Sequence, residues 1–228
     1  MDLSGRVVVV TGAGGALAGS VNSRLHAAGA ELLLVDRPGA AEAAAQRVPG
    51  SRALALDLTD PASAEALRAQ AGGAYALIHT VGTFSAQPAH QASTRELRRL
   101  FAVNFDTLFH ATTALLPGML ARGEGVILGI SAGQALRGEG PGAALYTASK
   151  AAVAAFLRSV DAECSGGVSA AVLYPVGTLD TPANRSAMPD ADPAGWIDPE
   201  EVAASALHLL TRGPRGRLRE ISVYPAKP

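Results

Sequence analysis

The chain has 228 residues, enough for one domain with a sizeable core, and carries 19 Lys and Arg against 20 Asp and Glu. A formal net charge of −1 gives no electrostatic case for nucleic acid or an anionic membrane surface as a partner. Hydrophobic residues make up 48% of the chain, but the apolar runs are short, and none approaches the ~18 residues of a membrane span. Met1-Asp2-Leu3-Ser4-Gly5-Arg6 lacks a basic region followed by an apolar core, so no secretory signal is read and a cytoplasmic location is expected. One cysteine, Cys164, excludes an internal disulfide, and five scattered histidines show no ligand spacing, so no metal site is expected.

Residues 7–11 are a β-branched run and read as the first strand. A glycine loop follows, then a helix over 17–28 that Gly29 closes. A second strand over 31–36, a short helix over 40–47 and a third strand over 53–57 come next. The helix over 61–71 has Pro61 in its first turn. A fourth strand covers 76–81, and a long helical stretch covers 93–122 with Pro117 near its end. The fifth strand is 125–130, a helix spans 143–164, and the sixth strand is 168–174. A helix over 200–211 and a last strand over 219–224 complete the chain. Strands spaced by helical patterns imply βαβ units, a parallel sheet and right-handed crossovers. The expected class is therefore α/β, one doubly wound domain with helices on both faces. Residues 182–199, rich in Pro, Asp and Ala, read as the longest irregular segment, of the kind that is functional or mobile.

Two patterns carry chemistry. Thr11-Gly12-Ala13-Gly14-Gly15-Ala16-Leu17-Ala18 follows a strand and opens a helix, a Rossmann-like context that suits a dinucleotide pyrophosphate held by backbone N–H groups and a helix dipole. Asp36 ends the second strand 24 residues beyond Gly12, where an acid bonds the adenosine ribose hydroxyls. Its charge favours NAD(H) over NADP(H), while Arg37 beside it leaves room for the latter. Asp57-Leu58, ending the third strand, either reads an adenine edge or caps the helix from Pro61. The second pattern is Tyr146-Thr147-Ala148-Ser149-Lys150, whose Tyr and Lys share one helix face. Two unit charges about 4 Å apart interact by roughly 4 kcal/mol at an effective dielectric near 20, so an ammonium there lowers the phenol pKa. Such a tyrosine exchanges a proton near neutral pH, as hydride chemistry at a carbonyl or imine requires. The chain has 17 Arg and only two Lys, Lys150 and Lys227, so lysine at this position points to a need for a compact, flexible charge.

Taken in order, Thr11-Gly12, Asp36, Asp57, Asn104 in Val103-Asn104-Phe105, Ile130-Ser131, Tyr146-x-x-x-Lys150, and Pro175 with Thr181 resemble the short-chain dehydrogenase/reductase family. The resemblance runs from Leu3 to about Tyr224. It implies an NAD(P)-dependent oxidoreductase acting on a small-molecule substrate, with Tyr146 as acid/base and Lys150 binding the nicotinamide ribose. It further implies that Ser131 contacts the substrate oxygen and that Asn104 holds a water in a proton relay. Gly12, Gly14, Gly15, Ala16 and Leu17 then meet the pyrophosphate, Asp36, Arg37, Asp57 and Leu58 the adenosine, and Val81 and Gly82 approach the cofactor after the fourth strand. Pro175, Val176, Thr178 and Thr181 fall at the nicotinamide. Family members pair the two long helices across a two-fold axis, which implies a homodimer or homotetramer.

Three departures bear on function. Ala16 and Ala18 replace the last two glycines of the family's Thr-Gly-x-x-x-Gly-x-Gly loop, and His79-Thr80-Val81-Gly82 replaces its Asn-Asn-Ala-Gly. Ala132 stands where a second, catalytic serine is usual, and Ser131 lies 15 residues before Tyr146. Either extra residues around 138–142 and a local shift let Ser131 serve, or the serine role is empty. The stretch from Thr178 to Asp192 is similar to that of dihydropteridine reductases, which implies a quinonoid or imine-like acceptor. Residues 182–199 are expected to form a substrate lid, with Arg185, Met188 and Trp196 facing the ligand. Two other functions fit the same fold: a dinucleotide-binding scaffold with altered catalysis, and a non-redox biosynthetic enzyme.

Overall fold

A computed structural model describes residues 3–71, 73–213 and 215–226. Lys227 and the terminal Met1, Asp2 and Pro228 lie outside these. Among the described residues, seven parallel strands form one sheet: β1 Val7–Thr11, β2 Glu31–Asp36, β3 Arg52–Ala55, β4 Ala76–His79, β5 Glu124–Ile130, β6 Gly167–Pro175 and β7 Glu220–Val223. Their order is β3-β2-β1-β4-β5-β6-β7. The register sets Val7 against Glu31 in β2 and Val8 against Ala76 in β4. The direction of strand addition reverses between β1 and β4, which opens a crevice at the carboxyl ends of these two strands.

Alternation along β1 explains the layers. Val8 and Val10 face one side, where they join Val21 and Leu25 of α1 (Ala16–Ala27) and Val202 and Leu209 of α9 (Pro199–Thr211). Val9 faces the other, with Leu108 and Met119 of α5 (Thr107–Arg122) and Val153 and Leu157 of α7 (Ala144–Glu163). Each fully buried Val, Leu or Met side chain of this kind contributes roughly 1.5–3 kcal/mol. The outer helices α2 (Ala40–Arg47) and α3 (Ser63–Ala71) complete the two layers.

The structure revises the expected elements in four places. The third and fourth strands end at Ala55 and His79, because Asp57 turns back onto Thr59 and the chain leaves the sheet after Thr80 bonds the Thr11 carbonyl. The long helix over 93–122 is divided into α4 (Thr94–Phe101), a π-helical turn (Ala102–Asp106) and α5. A short helix not expected from the sequence, α6 (Gly133–Arg137), follows β5 and ends at Gly138, whose φ of 77° is left-handed. The segment 182–199 is less irregular than expected. It holds α8 (Pro182–Ala187), started by the Thr181 hydroxyl and Pro182, and a 3₁₀ turn (Pro193–Gly195). No helix among the described residues is long and apolar enough to cross a membrane.

Candidate active site

The glycine loop is built by close approach. Gly12 has a φ of 72°, and a side chain there would place its Cβ 2.8 Å from the Val81 nitrogen. Its N–H donates to the Val35 carbonyl at 2.9 Å, and Asn22 of α1, fully buried, donates to the Ala13 carbonyl at 3.0 Å. Asn22 had no motif to mark it, because a helix-interior asparagine reads as an ordinary polar position. Asp36 reaches back to the loop: Gly14 N–H donates to its Oδ2 at 2.9 Å and Arg37 N–H to its Oδ1 at 2.7 Å. The acid therefore fixes the loop as well as facing the crevice. Ala18 resolves one departure, since its methyl is fully buried among the core residues rather than turned to the crevice.

A cleft of about 670 Å³ opens here. Gly12, Gly14 and Gly15 line it together with Asp36, Arg37, Asp57 and Leu58. Val81 and Gly82 line it as well, while Ala16 and Leu17 lie in α1 outside the lining. Asp57 does not cap α3. That role belongs to Asp60, whose Oδ1 accepts from Ala62 N–H at 2.9 Å. Asp57 instead accepts from the Thr59 hydroxyl and N–H, at 2.7 and 2.9 Å, and these bonds hold its carboxyl below the ordinary value, with Arg37 adding to the effect.

Gly82 joins the cleft to the helix that bears the tyrosine. A Cβ at Gly82 would lie 2.9 Å from Lys150 Nζ and 3.5 Å from Asn104 Oδ1. Lys150 is buried, and its Nζ donates to the Ile130 carbonyl at 3.0 Å. The expected depression of the Tyr146 pKa is not found. Burial pushes the phenol up to about 12, and burial pushes the Lys150 ammonium down to about 8. Desolvation is the cause in both cases, and the Lys150 ammonium faces the end of β5 and Gly82.

Asn104 sits at the centre of the π turn and is fully buried. Its Oδ1 accepts from Thr83 N–H at 2.7 Å, while its Nδ2 donates to the Thr83 carbonyl at 3.0 Å and to Ser149 Oγ at 2.9 Å. The amide thus ties the loop after β4 to the tyrosine helix. Ser131 is buried, and its hydroxyl donates to the Lys150 carbonyl at 2.8 Å, a structural bond where a substrate contact was expected. His79 and Thr80 rebuild the contacts of the replaced Asn-Asn pair. Thr107 donates to the Val103 carbonyl at 2.7 Å, so His79 Nε2 donates to Thr107 Oγ1 at 3.2 Å and Nδ1 accepts from Thr11 Oγ1 at 2.8 Å. Burial, reinforced by the Lys150 charge, pushes this histidine down to about 3 and keeps it neutral.

Beyond β6, Ile197 N–H donates to the Thr178 carbonyl and Asp180 N–H to the Ile197 carbonyl, both at 2.8 Å. Pro175 ends β6, Val176 N–H donates to the Val223 carbonyl at 2.8 Å, and the Thr181 hydroxyl accepts from Asn184 N–H at 3.2 Å. Arg185 makes two bonds to Asp180, at 2.6 and 2.7 Å, so its charge faces that carboxylate and holds it below its ordinary value. Met188 is exposed and Trp196 half-buried. None of these residues lines the 670 Å³ cleft.

The family profile described as short chain dehydrogenase matches residues 6–192. The chain belongs to the short-chain dehydrogenase/reductase family. It is 33% identical over 226 residues to galactitol 2-dehydrogenase (L-tagatose-forming) of Cereibacter sphaeroides, covering 92% of this chain and 89% of that one. A solved structure described as a short chain dehydrogenase/reductase family protein superposes with a TM-score of 0.90 at 29% identity, covering 98% of this chain and 97% of the other. A second, from Beutenbergia cavernae, is described as a putative NAD(P) dependent gluconate 5-dehydrogenase with bound NADP at low occupancy. It matches at a TM-score of 0.85 and 27% identity over 97% of this chain and 96% of that one. This short-chain dehydrogenase/reductase is an NAD(P)-dependent oxidoreductase, and the family's members act on small-molecule alcohols and ketones. The cleft suits the cofactor on its own geometry: at Gly12, Gly14 and Gly82 the backbone packs against Val81, Ala40 and Lys150 too closely for a Cβ, these glycines line the cleft, and the loop opens onto a helix start.

Proposed function

We propose that the protein reduces a small-molecule carbonyl, imine or quinonoid compound, with NADH preferred as reductant and Tyr146 as the acid/base. The observation that carries this reading is the meeting of cleft and helix at Gly82, where Lys150 Nζ abuts the cleft wall one helical turn from Tyr146. Bound in the cleft, the nicotinamide group supplies the hydride in this direction and accepts one in reverse. Tyr146 gives its phenolic proton to the substrate oxygen or nitrogen, so C=O becomes CH–OH and a tyrosinate remains to be reprotonated. Lys150, whose pKa of about 8 leaves it mostly charged at neutral pH, holds the ribose and stabilises that tyrosinate. The Asn104 amide is spent on Thr83 and Ser149, so a water relay through this residue falls to its backbone carbonyl. With the Ser131 hydroxyl turned to the Lys150 carbonyl, Tyr146 carries the polar contact to the reacting group alone. That suits the conjugated imine or quinonoid acceptor implied by the dihydropteridine reductase resemblance.

The cofactor preference rests on Asp36, a carboxylate at the adenosine end of the cleft that repels a 2′-phosphate. Residues 182–199 act as the lid, swinging on the Thr178–Ile197 and Asp180–Ile197 bonds, with Pro175, Val176, Thr178 and Thr181 at the nicotinamide end. The exposed Leu97, Phe109 and Leu120 on the α4 and α5 faces support a homodimer or homotetramer built on these helices.

The test is a screen of aldehydes, ketones, imines and a quinonoid dihydropterin, with NADH and NADPH in parallel. Tyr146→Phe should lower kcat by about 10²–10⁴-fold, the usual weight of a general acid, while calorimetry shows NADH binding within a few-fold of the parent. Substantial turnover by the variant, or no dinucleotide binding by the parent, would overturn the assignment.

A further inference from the structure

Phe84 is 59% exposed and lies in the loop after β4. Its ring meets Tyr146 edge to face, with centroids 4.9 Å apart and planes at 75°. A single exposed aromatic needs no explanation in general, but two features set this one apart. The first is its neighbour, since the ring rests on the side chain assigned the proton. The second is how firmly the loop around it is held. On the N-terminal side, Thr83 is bound through both its N–H and its carbonyl to buried Asn104, and its hydroxyl accepts from Arg99 at 3.4 Å. On the C-terminal side, the Ser85 side chain bonds Glu96, and Gln87 pairs with Ala143, the residue before α7. The loop is therefore stapled to α4, to the π turn and to the start of the tyrosine helix. Fixing it gives up conformational freedom, and the folded chain recovers little of that through a ring left mostly in water.

Phe84 also stands between two clefts. Thr83 lines the 670 Å³ cleft, and Ser85 lines a second of about 470 Å³, with Arg99 on the wall of both. A substrate that presents its carbonyl to the Tyr146 hydroxyl comes up beside this ring. The second cleft is mostly polar, with Gln87, Ser93, Arg95 and Glu96 beside Ala86, and Phe84 is an exposed aromatic ring in the loop next to it.

We propose that Phe84 is a specificity-determining residue that selects planar aromatic or conjugated carbonyl substrates by stacking against their ring while the carbonyl meets Tyr146. This rests on the oxidoreductase reading above and adds the substrate class. Aromatic pairs contribute ≈ 0.5–1.5 kcal/mol beyond buried area, and 1.4 kcal/mol is tenfold in affinity. The loss of the ring should therefore cost aromatic substrates about two- to tenfold relative to saturated ones of the same size.

The experiment compares benzaldehyde with cyclohexanecarbaldehyde, each reduced to its primary alcohol at the expense of NADH or NADPH, for the parent, Phe84→Ala and Phe84→Tyr. The parent should favour the aromatic aldehyde in kcat/KM, Phe84→Ala should lower that ratio about two- to tenfold, mainly through KM, and Phe84→Tyr should restore it. A Phe84→Ala variant that loses both rates in proportion would show that the ring only braces Tyr146, and an unchanged ratio would show that it does nothing for selection. Either overturns the proposal. A parent that reduces the saturated aldehyde and not the aromatic one overturns it while leaving the oxidoreductase reading intact. No turnover of either aldehyde or of any compound in the wider screen overturns both.

Discussion

At the scale of single residues, Lys150 is held where its charge is costly. A lysine whose folded pKa is about 8, below its ordinary 10.5, binds fewer protons folded than unfolded between those values. Stability therefore rises with pH across that window, and the penalty for the buried charge is present in full below it. Lys150→Met should remove the penalty. The cofactor-free variant is expected to melt several degrees above the parent at pH 7, with the difference shrinking as pH approaches 10, while turnover is lost. Thermal denaturation of both proteins across that range checks this, and a variant less stable than the parent at pH 7 would contradict it. His79 follows the same rule in acid. Its folded pKa of about 3 lies below the ordinary 6.5, so it contributes a loss of stability as pH falls through that interval. Both groups are charged or chargeable side chains kept inside the protein at a cost in stability.

At the scale of elements, the π turn and the segment 182–199 explain why some of the site was legible and some was not. Tyr146 and Lys150 are four apart, so one helix suffices to place them on one face, and the glycine loop is likewise local. Ser93, which accepts from Glu96 N–H at 3.1 Å, is legible as a cap for the same reason. The π turn is not local in origin. Residues 102–106 carry no breaker, and the widened turn goes with Asn104 bonding Thr83 and Ser149 from other parts of the chain. Phe84 was passed over because an aromatic in a loop carries no periodicity, and only the fold sets it on Tyr146. In the segment 182–199, Thr181-Pro182 is a helix-start signal hidden among Pro and Asp residues. The segment is tied to the chain just before it by Arg185–Asp180 and anchored by Ile197. Limited proteolysis should cut within 182–199 in the free protein and be slowed at least several-fold by saturating NADH. Equal cleavage with and without bound cofactor would remove the lid from the mechanism.

At the scale of the whole molecule, the sheet order places the ends of β1 and β4 side by side, and that single reversal creates the cleft. Phe105 of the π turn, Phe109 of α5 and Phe156 of α7 form an aromatic cluster in which Phe109 is exposed, with the Phe105 and Phe109 ring centroids 5.6 and 6.0 Å from that of Phe156. Light scattering should return a dimer or tetramer, and Phe109→Glu should shift it toward monomer, since a charge in an apolar contact is costly. A monomeric parent would exclude the proposed assembly. The alternation of β and α patterns, the glycine loop, the acid after β2 and the Tyr–Lys spacing were determined by the sequence itself, because each depends on residues within a few positions of one another. The tertiary structure alone decided the direction of the Tyr146 and Lys150 shifts, the commitment of Ser131 to the Lys150 carbonyl and the placing of Phe84. Those depend on desolvation and on partners distant in the chain, which a linear pattern does not encode.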